Sequence, residues 1–282
     1  MKWRGRRGSR NIEDRRRSGG MARAGGLSGL GLIAVLLIGA FLGVDVTPLL
    51  QGGGGVATTG QTEVTQADED AAQFVSVTLA DTEEVWTEVF RTQVGEAYTP
   101  PTLVLFKGVT QSPCGGASGA SGPFYCPADR KAYLDTEFFT TLSRQLGAKG
   151  DFAAAYVVAH EVAHHVQNEL GILGQANRIR AQSSQSQANA ISVRIELQAD
   201  CLSGIWARYA EARFGSLERG DLDEAMNAAR RIGDDTLQRS AGRAPNPHTF
   251  THGTSEQRQR WFARGYNEPQ IQSCDTFSAQ SL

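Results

Sequence analysis

The chain has 282 residues, enough for one large domain or two small ones, and its 40% hydrophobic and 21% charged content is that of an ordinary soluble fold. Its formal charge of −2 conceals an asymmetry: residues 1–26 carry nine Lys or Arg and two acids, leaving 19 basic and 28 acidic residues, a net −9, in the rest. That acidic body argues against nucleic-acid binding.

Residues 1–26, rich in Arg and Gly, read as a basic, solvated cytoplasmic tail. Leu27 to Val44 is uncharged, and eighteen residues just span a bilayer core at about 1.5 Å rise each. A cleavable signal peptide competes, but its apolar core is usually about 7–15 residues and ends in an A-x-A-like site, which is not evident here. Residues 27–50 are therefore expected to form a transmembrane anchor. The preceding basic residues would set a single-pass inner-membrane topology with an extracytoplasmic domain. The Gly-rich and polar residues 51–70 read as a flexible linker.

The folded domain is expected over 71–282. Phe74, Val75, Val77 and Leu79 lead to Asp81-Thr-Glu-Glu84, a capping-box pattern opening a short helix with Val85, Trp86, Val89 and Phe90. Pro101 to Phe106 reads as a strand, followed by a Gly/Ser-rich loop between Cys114 and Cys126. The loop lacks the G-K-[ST] and G-x-G-x-x-G patterns of phosphate sites. Phe124–Cys126 and Lys131–Asp135 read as further strands, and Phe138, Phe139, Leu142 and Leu146 have helical spacing. Strands followed by helices, without βαβ alternation, give an α+β, mainly helical class with a small sheet, preceded by one transmembrane helix. All four cysteines lie beyond the apolar segment, which suits disulfides in an exported domain. Cys114 and Cys126 are the natural local pair, and Cys201 with Cys274 then follows by elimination. The rival is a four-cysteine zinc site, which the absence of C-x-x-C disfavours.

Asp151 would cap a helix from Phe152 to about Leu170, ending at Gly171. Within it, His160-Glu161-x-x-His164 places two imidazoles one turn apart on one face, able to reach a tetrahedral metal at about 2.0–2.1 Å each. Glu161 would stand beside the metal, able to take a proton from a water there, as in zinc proteases. The bland alternative is a packed pair of core histidines. His165 is about 100° around the helix from His164 and reads as a packing residue.

A second long helix, roughly 184–214, carries Glu196 and Asp200 four apart among Ile195, Leu197, Ala199 and Leu202. Acids among such neighbours are odd on a solvated face, and His₂Glu is a standard catalytic zinc set. Glu196 is thus the expected third ligand, with Asp200 accepting the outer N–H of a ligating histidine. Shorter helices are expected near 222–232 and 236–239. Next, a Pro-bounded loop holds His248 and His252 before Thr254-x-x-Gln257, a capping box. His252 is a candidate donor to a developing oxyanion; His248 and Arg258 are weaker candidates, Arg258 for binding a carboxylate.

With these pieces placed, the chain resembles the bacterial, membrane-anchored "putative neutral zinc metallopeptidase" family. The resemblance is carried by Phe74–Trp86, Pro101–Phe106, Gly122–Pro127, Tyr133–Asp135, Gly150–Tyr156, the histidine motif through Gln167, Glu196–Cys201 and His252–Arg258. It implies a zincin-like fold, Zn²⁺ held by His160, His164 and Glu196 in the gluzincin manner, and a peptide or protein substrate. Ala163 stands where the family motif has Gly. The expected function is hydrolysis of peptide bonds by a zinc-activated water with Glu161 as general base, and the strand at Leu103–Phe106 could pair with an extended peptide. The alternative is a non-catalytic, metal-stabilised scaffold or regulator of envelope proteins.

Overall fold

A computed structural model describes residues 1–17, 63–118 and 122–282. Its elements in order are β1 (Ile12–Asp14), α1 (Gln66–Val89), β2 (Thr102–Phe106), β3 (Val109–Ser112), β4 (Gly115–Ser118), β5 (Phe124–Cys126), β6 (Lys131–Asp135), α2 (Phe138–Arg144), α3 (Asp151–Glu169), α4 (Ile172–Ala181), α5 (Gln185–Phe214), α6 (Asp221–Arg231), α7 (Asp234–Ser240) and α8 (Ser255–Asn267). Helices dominate, and a four-stranded sheet of order β1-β2-β6-β5 stands beside the two-stranded hairpin β3-β4. The sheet is mixed: β1, β2 and β6 run parallel, and β5 runs antiparallel to β6.

The N-terminal residues depart most from expectation. Instead of forming a solvated tail, Ile12–Asp14 pair with Leu103–Leu105 as the edge strand of the sheet. Trp3 is buried edge-on against Phe74, and Arg6 grips Asp81 through two N–H···O bonds of 2.6 Å each. Arg16, also buried, reaches Asp14, Glu69 and the Asp68 carbonyl. The basic residues read as a topology signal thus pair with acids of α1. The expectation of a transmembrane helix ahead of the domain is overturned. No helix among the described residues is long and apolar enough to cross a membrane. The segment 27–50 on which it fell lies outside the described residues. A single crossing there would put a bilayer between β1 and β2, which are hydrogen-bonded neighbours.

Local chemistry sets the helix starts. Thr65 and Asp68 form a reciprocal capping box, so α1 begins there and runs unbroken through Asp81-Thr-Glu-Glu84, where a separate start was expected. Burial of Val75, Val77, Leu79, Val85, Trp86 and Val89 favours one continuous helix over two. Asp151 opens α3 as its first residue, while Gly150, at φ +105°, takes the cap position that a side-chain residue would strain to occupy.

The core lies between α3, α5 and α8, with Phe152 stacked on Trp206 at 5.8 Å. Helices α5 and α8 touch backbone to backbone: a Cβ on Gly204 would meet the Phe262 carbonyl oxygen at 2.1 Å, and one on Gly265 the Cys201 carbonyl oxygen at 1.8 Å. Disulfides join Cys114 to Cys126 and Cys201 to Cys274, the latter tying the C-terminal segment to α5 beside Asp200. Crossing α5 over α3 sets His160 and His164 opposite Glu196 and Asp200.

Candidate metal centre

His160, His164 and Glu196 offer ligand atoms that all lie within 4.8 Å of one another. His160 Nε2 is 3.0 Å from Glu196 Oε2, and His164 Nε2 is 3.6 Å from Glu196 Oε1. The two rings stand perpendicular with centroids 4.8 Å apart, as a one-turn offset on a helix allows.

The other ring nitrogens are held from behind. His160 Nδ1 is 3.0 Å from Asp200 Oδ1. Asp200, fully buried, also receives Arg258 Nε at 2.8 Å, Arg258 Nη2 at 3.0 Å and the Tyr156 hydroxyl. His164 Nδ1 donates to Gln167 Oε1 at 2.9 Å, while the Gln167 amide donates to the Ile195 carbonyl and to Gln198. His164 is thereby fixed with Nε2 forward, the orientation that outer partners of metal-binding histidines impose, whereas His160 Nδ1 sits at ion-pair distance from Asp200 without hydrogen-bond alignment. Burial alone would lower the His160 pKa, but Asp200 and Glu196 override it and push it up to about 10. Burial likewise works against ionised Glu196, yet His164 and His160 hold its carboxyl well below the usual range.

Glu161 is buried, and its Oε2 has no hydrogen-bond partner among the described residues. Burial pushes this carboxyl above the ordinary range. An orphaned acceptor beside two imidazoles and a carboxylate is costly unless a ligand or water completes the site. The two nitrogens, the carboxylate and the adjacent orphan therefore fit a zinc ion with a water beside it.

His252 comes from the loop before α8. Its ring lines the same cleft, half-exposed, with Nδ1 3.3 Å from Asp234 Oδ1. Asp234 Oδ2 also accepts the backbone N–H groups of Thr251, His252 and Gly253, at 2.8, 2.6 and 2.9 Å. Partial desolvation in the cleft would lower the His252 pKa, but Asp234 and Glu196 raise it. The cleft has a volume of about 540 Å³ and is walled by Phe124 and Tyr125 of β5, by α4 and α5, and by the His252 loop.

Other candidates fall elsewhere. His165 faces away, bonded to the Tyr125 hydroxyl and to the Thr99 carbonyl. His248 is exposed on a short 3₁₀ turn and does not line the cleft. Arg258 binds a carboxylate, but that of Asp200, and is itself buried. The strand at Leu103–Phe106 cannot accept a peptide edge, because β2 lies between β1 and β6. A second acidic group, Asp151, Asp221 and Glu224, lies near the Met1 amino group, which is 2.8 Å from Asp151 and 3.3 Å from Asp221.

Gln167 and Asp234 were missed from sequence. Gln167 had a signal, three residues after His164 on the same helix. Asp234 had none, since only the fold brings it to His252.

Residues 1–277 match the model of the "Putative neutral zinc metallopeptidase" family, to which this chain belongs. The chain is 43% identical over 285 residues to the uncharacterized protein YpfJ of Escherichia coli (strain K12), covering 98% of this chain and 99% of that one. It is 43% identical over 227 residues to the uncharacterized proteins Mb2605 of Mycobacterium bovis and Rv2575 of Mycobacterium tuberculosis, covering 76% of this chain and 74% of each. No solved structure matches.

Proposed function

We propose that this protein is a zinc-dependent peptidase with His160, His164 and Glu196 as the metal ligands. The observation that carries the reading is the convergence of both Nε2 atoms and the Glu196 carboxylate, with the orphaned Glu161 Oε2 beside them. Bound Zn²⁺ would polarise the scissile carbonyl and acidify a water.

The chain's own residues do the rest. Glu161, with its affinity for a proton raised by burial, takes a proton from the attacking water and passes it to the leaving amine. His252, held by Asp234 and biased toward its charged form, donates to the oxygen on which negative charge develops. Gln167 keeps the His164 ring in the required tautomer, and the Asp200 carboxylate, 3.0 Å from His160 Nδ1, draws a proton to that nitrogen by its charge. An extended substrate is offered the open edge of β5, since the opposite side of that strand pairs with β6. The two disulfides support an oxidising, extracytoplasmic setting.

The test is metal analysis together with casein and peptide-library cleavage by wild type and Glu161→Gln. Zinc bound by both proteins, with turnover falling about 10²–10⁴-fold in the variant, is the expected result. Zinc bound by both with equal inertness across broad substrates would leave a metal-stabilised scaffold instead.

A further inference from the structure

One wall of the cleft carries a charge that neither the metal ligands nor the proposed proton transfers use. Leu173, Asn177 and Arg180 are spaced four and three apart along α4, so they share a face, and all three line the cleft. Leu173 is buried and anchors the face, while Arg180 is exposed near the helix's end. Ser192 and Glu196 of α5 line the same cleft, and they are one turn, about 6 Å, apart along their helix. The wall therefore runs from the ligand set toward a guanidinium.

Arg180 donates Nη1 to Asn177 Oδ1 at 3.1 Å, which steadies the side chain while committing one of its five N–H donors. No carboxylate among the described residues forms an ion pair with it, whereas Arg258, the other arginine lining the cleft, is buried on Asp200. Elsewhere the wall offers Leu173 and Ile195, the Asn177 amide and the Ser192 hydroxyl. A guanidinium with free donors, on a wall whose one other charged residue is the proposed ligand Glu196, is suited to a carboxylate, which it can bind in a forked, charge-assisted manner. The net −9 charge beyond residue 26 gives no general attraction for acidic chains, so such a preference would arise from cations within the cleft, of which Arg180 lies outside the proposed catalytic set and without a carboxylate partner among the described residues.

We infer that Arg180 forms a substrate subsite that selects a carboxylate near the bond to be cut, contributed by an acidic side chain or by the free C-terminus of the peptide. This deepens the peptidase reading and rests on it. Arg180 touches no proposed ligand, so its loss acts on binding and raises KM more than it lowers kcat.

The experiment uses the zinc-loaded full chain and matched peptides that differ only as Glu, Gln or Lys at each position flanking the cleaved bond, each with a free and an amidated C-terminus. Wild type is expected to favour the carboxylate form by about five- to tenfold in kcat/KM, as a partly exposed charged pair allows. Arg180→Gln removes the preference and Arg180→Glu turns it toward Lys, with zinc content unchanged. The Glu/Gln arm and the free/amidated arm identify which carboxylate is read. The inference is overturned if wild type shows no preference in either arm, or if Arg180→Gln keeps it. If wild type cleaves nothing, the peptidase reading fails first, and fluorescence anisotropy of the same labelled peptides decides the subsite separately. Carboxylate-dependent binding lost in Arg180→Gln upholds it, and equal binding of all the peptides overturns it.

Discussion

Asp200→Asn separates stability from metal orientation, because Asp200 serves two partners that respond differently. The substitution keeps shape and volume but removes the charge opposite Arg258, which is 2% exposed and forms no other carboxylate ion pair among the described residues. Breaking a buried pair in this way costs about 3–5 kcal/mol, because the remaining charge is left uncompensated. The same change takes the carboxylate charge from beside His160 Nδ1, now 3.0 Å away. Loss of such a partner typically weakens metal binding about 10–100-fold, or roughly 1.4–2.8 kcal/mol. The double variant Asp200→Asn/Arg258→Met removes the stranded cation, so most of the stability should return while zinc affinity stays low. Urea unfolding of the apo-proteins reads the first quantity. Competition with a chromophoric chelator reads the second. Wild-type zinc affinity in Asp200→Asn, or its recovery in the double variant, would refute the orienting role of Asp200.

Three further outcomes are expected. Burial alone would raise the Asp68 pKa, but hydrogen bonds from Lys107, Thr65 and Thr136 hold this carboxyl well below its ordinary range. A depressed folded-state pKa contributes stability above the unfolded value near 4, and that stability is lost as pH falls through the folded one. Asp68→Asn should therefore cost roughly 3 kcal/mol at pH 7 and progressively less toward pH 3, read by urea midpoints; a constant gap would mean that charge is not the cause. Trp3→Ala should destabilise the fold by about 3 kcal/mol by removing a buried ring from against Phe74. A solvated N-terminus would instead leave the melting temperature unchanged. Gly204→Ala should cost about 2–4 kcal/mol, because its Cβ would strike the α8 backbone and push the helices apart. An unchanged denaturation midpoint would contradict that close approach.

The sequence on its own determined the helix bearing His160 and His164, because the i, i+4 rule operates within a single element. It also indicated Glu196 and Asp200, whose acidic side chains recur at helical spacing among apolar neighbours. The Thr254-x-x-Gln257 capping box marked the start of α8, since its hydrogen bonds reach only three residues. Nothing local distinguishes a basic tail that stays in solvent from one whose arginines meet acids of α1, so the docking of residues 1–17 had to come from the fold. Tertiary structure alone decided which strand is an edge: β2 is apolar and short like any edge candidate, but β1 arrives from about ninety residues away and covers it. It alone brought Asp234 under His252 and placed Arg180 on the cleft wall, both across loops whose course no periodicity encodes. Chemistry carried within one helical turn was legible in the residues, while partnerships between elements were settled by packing.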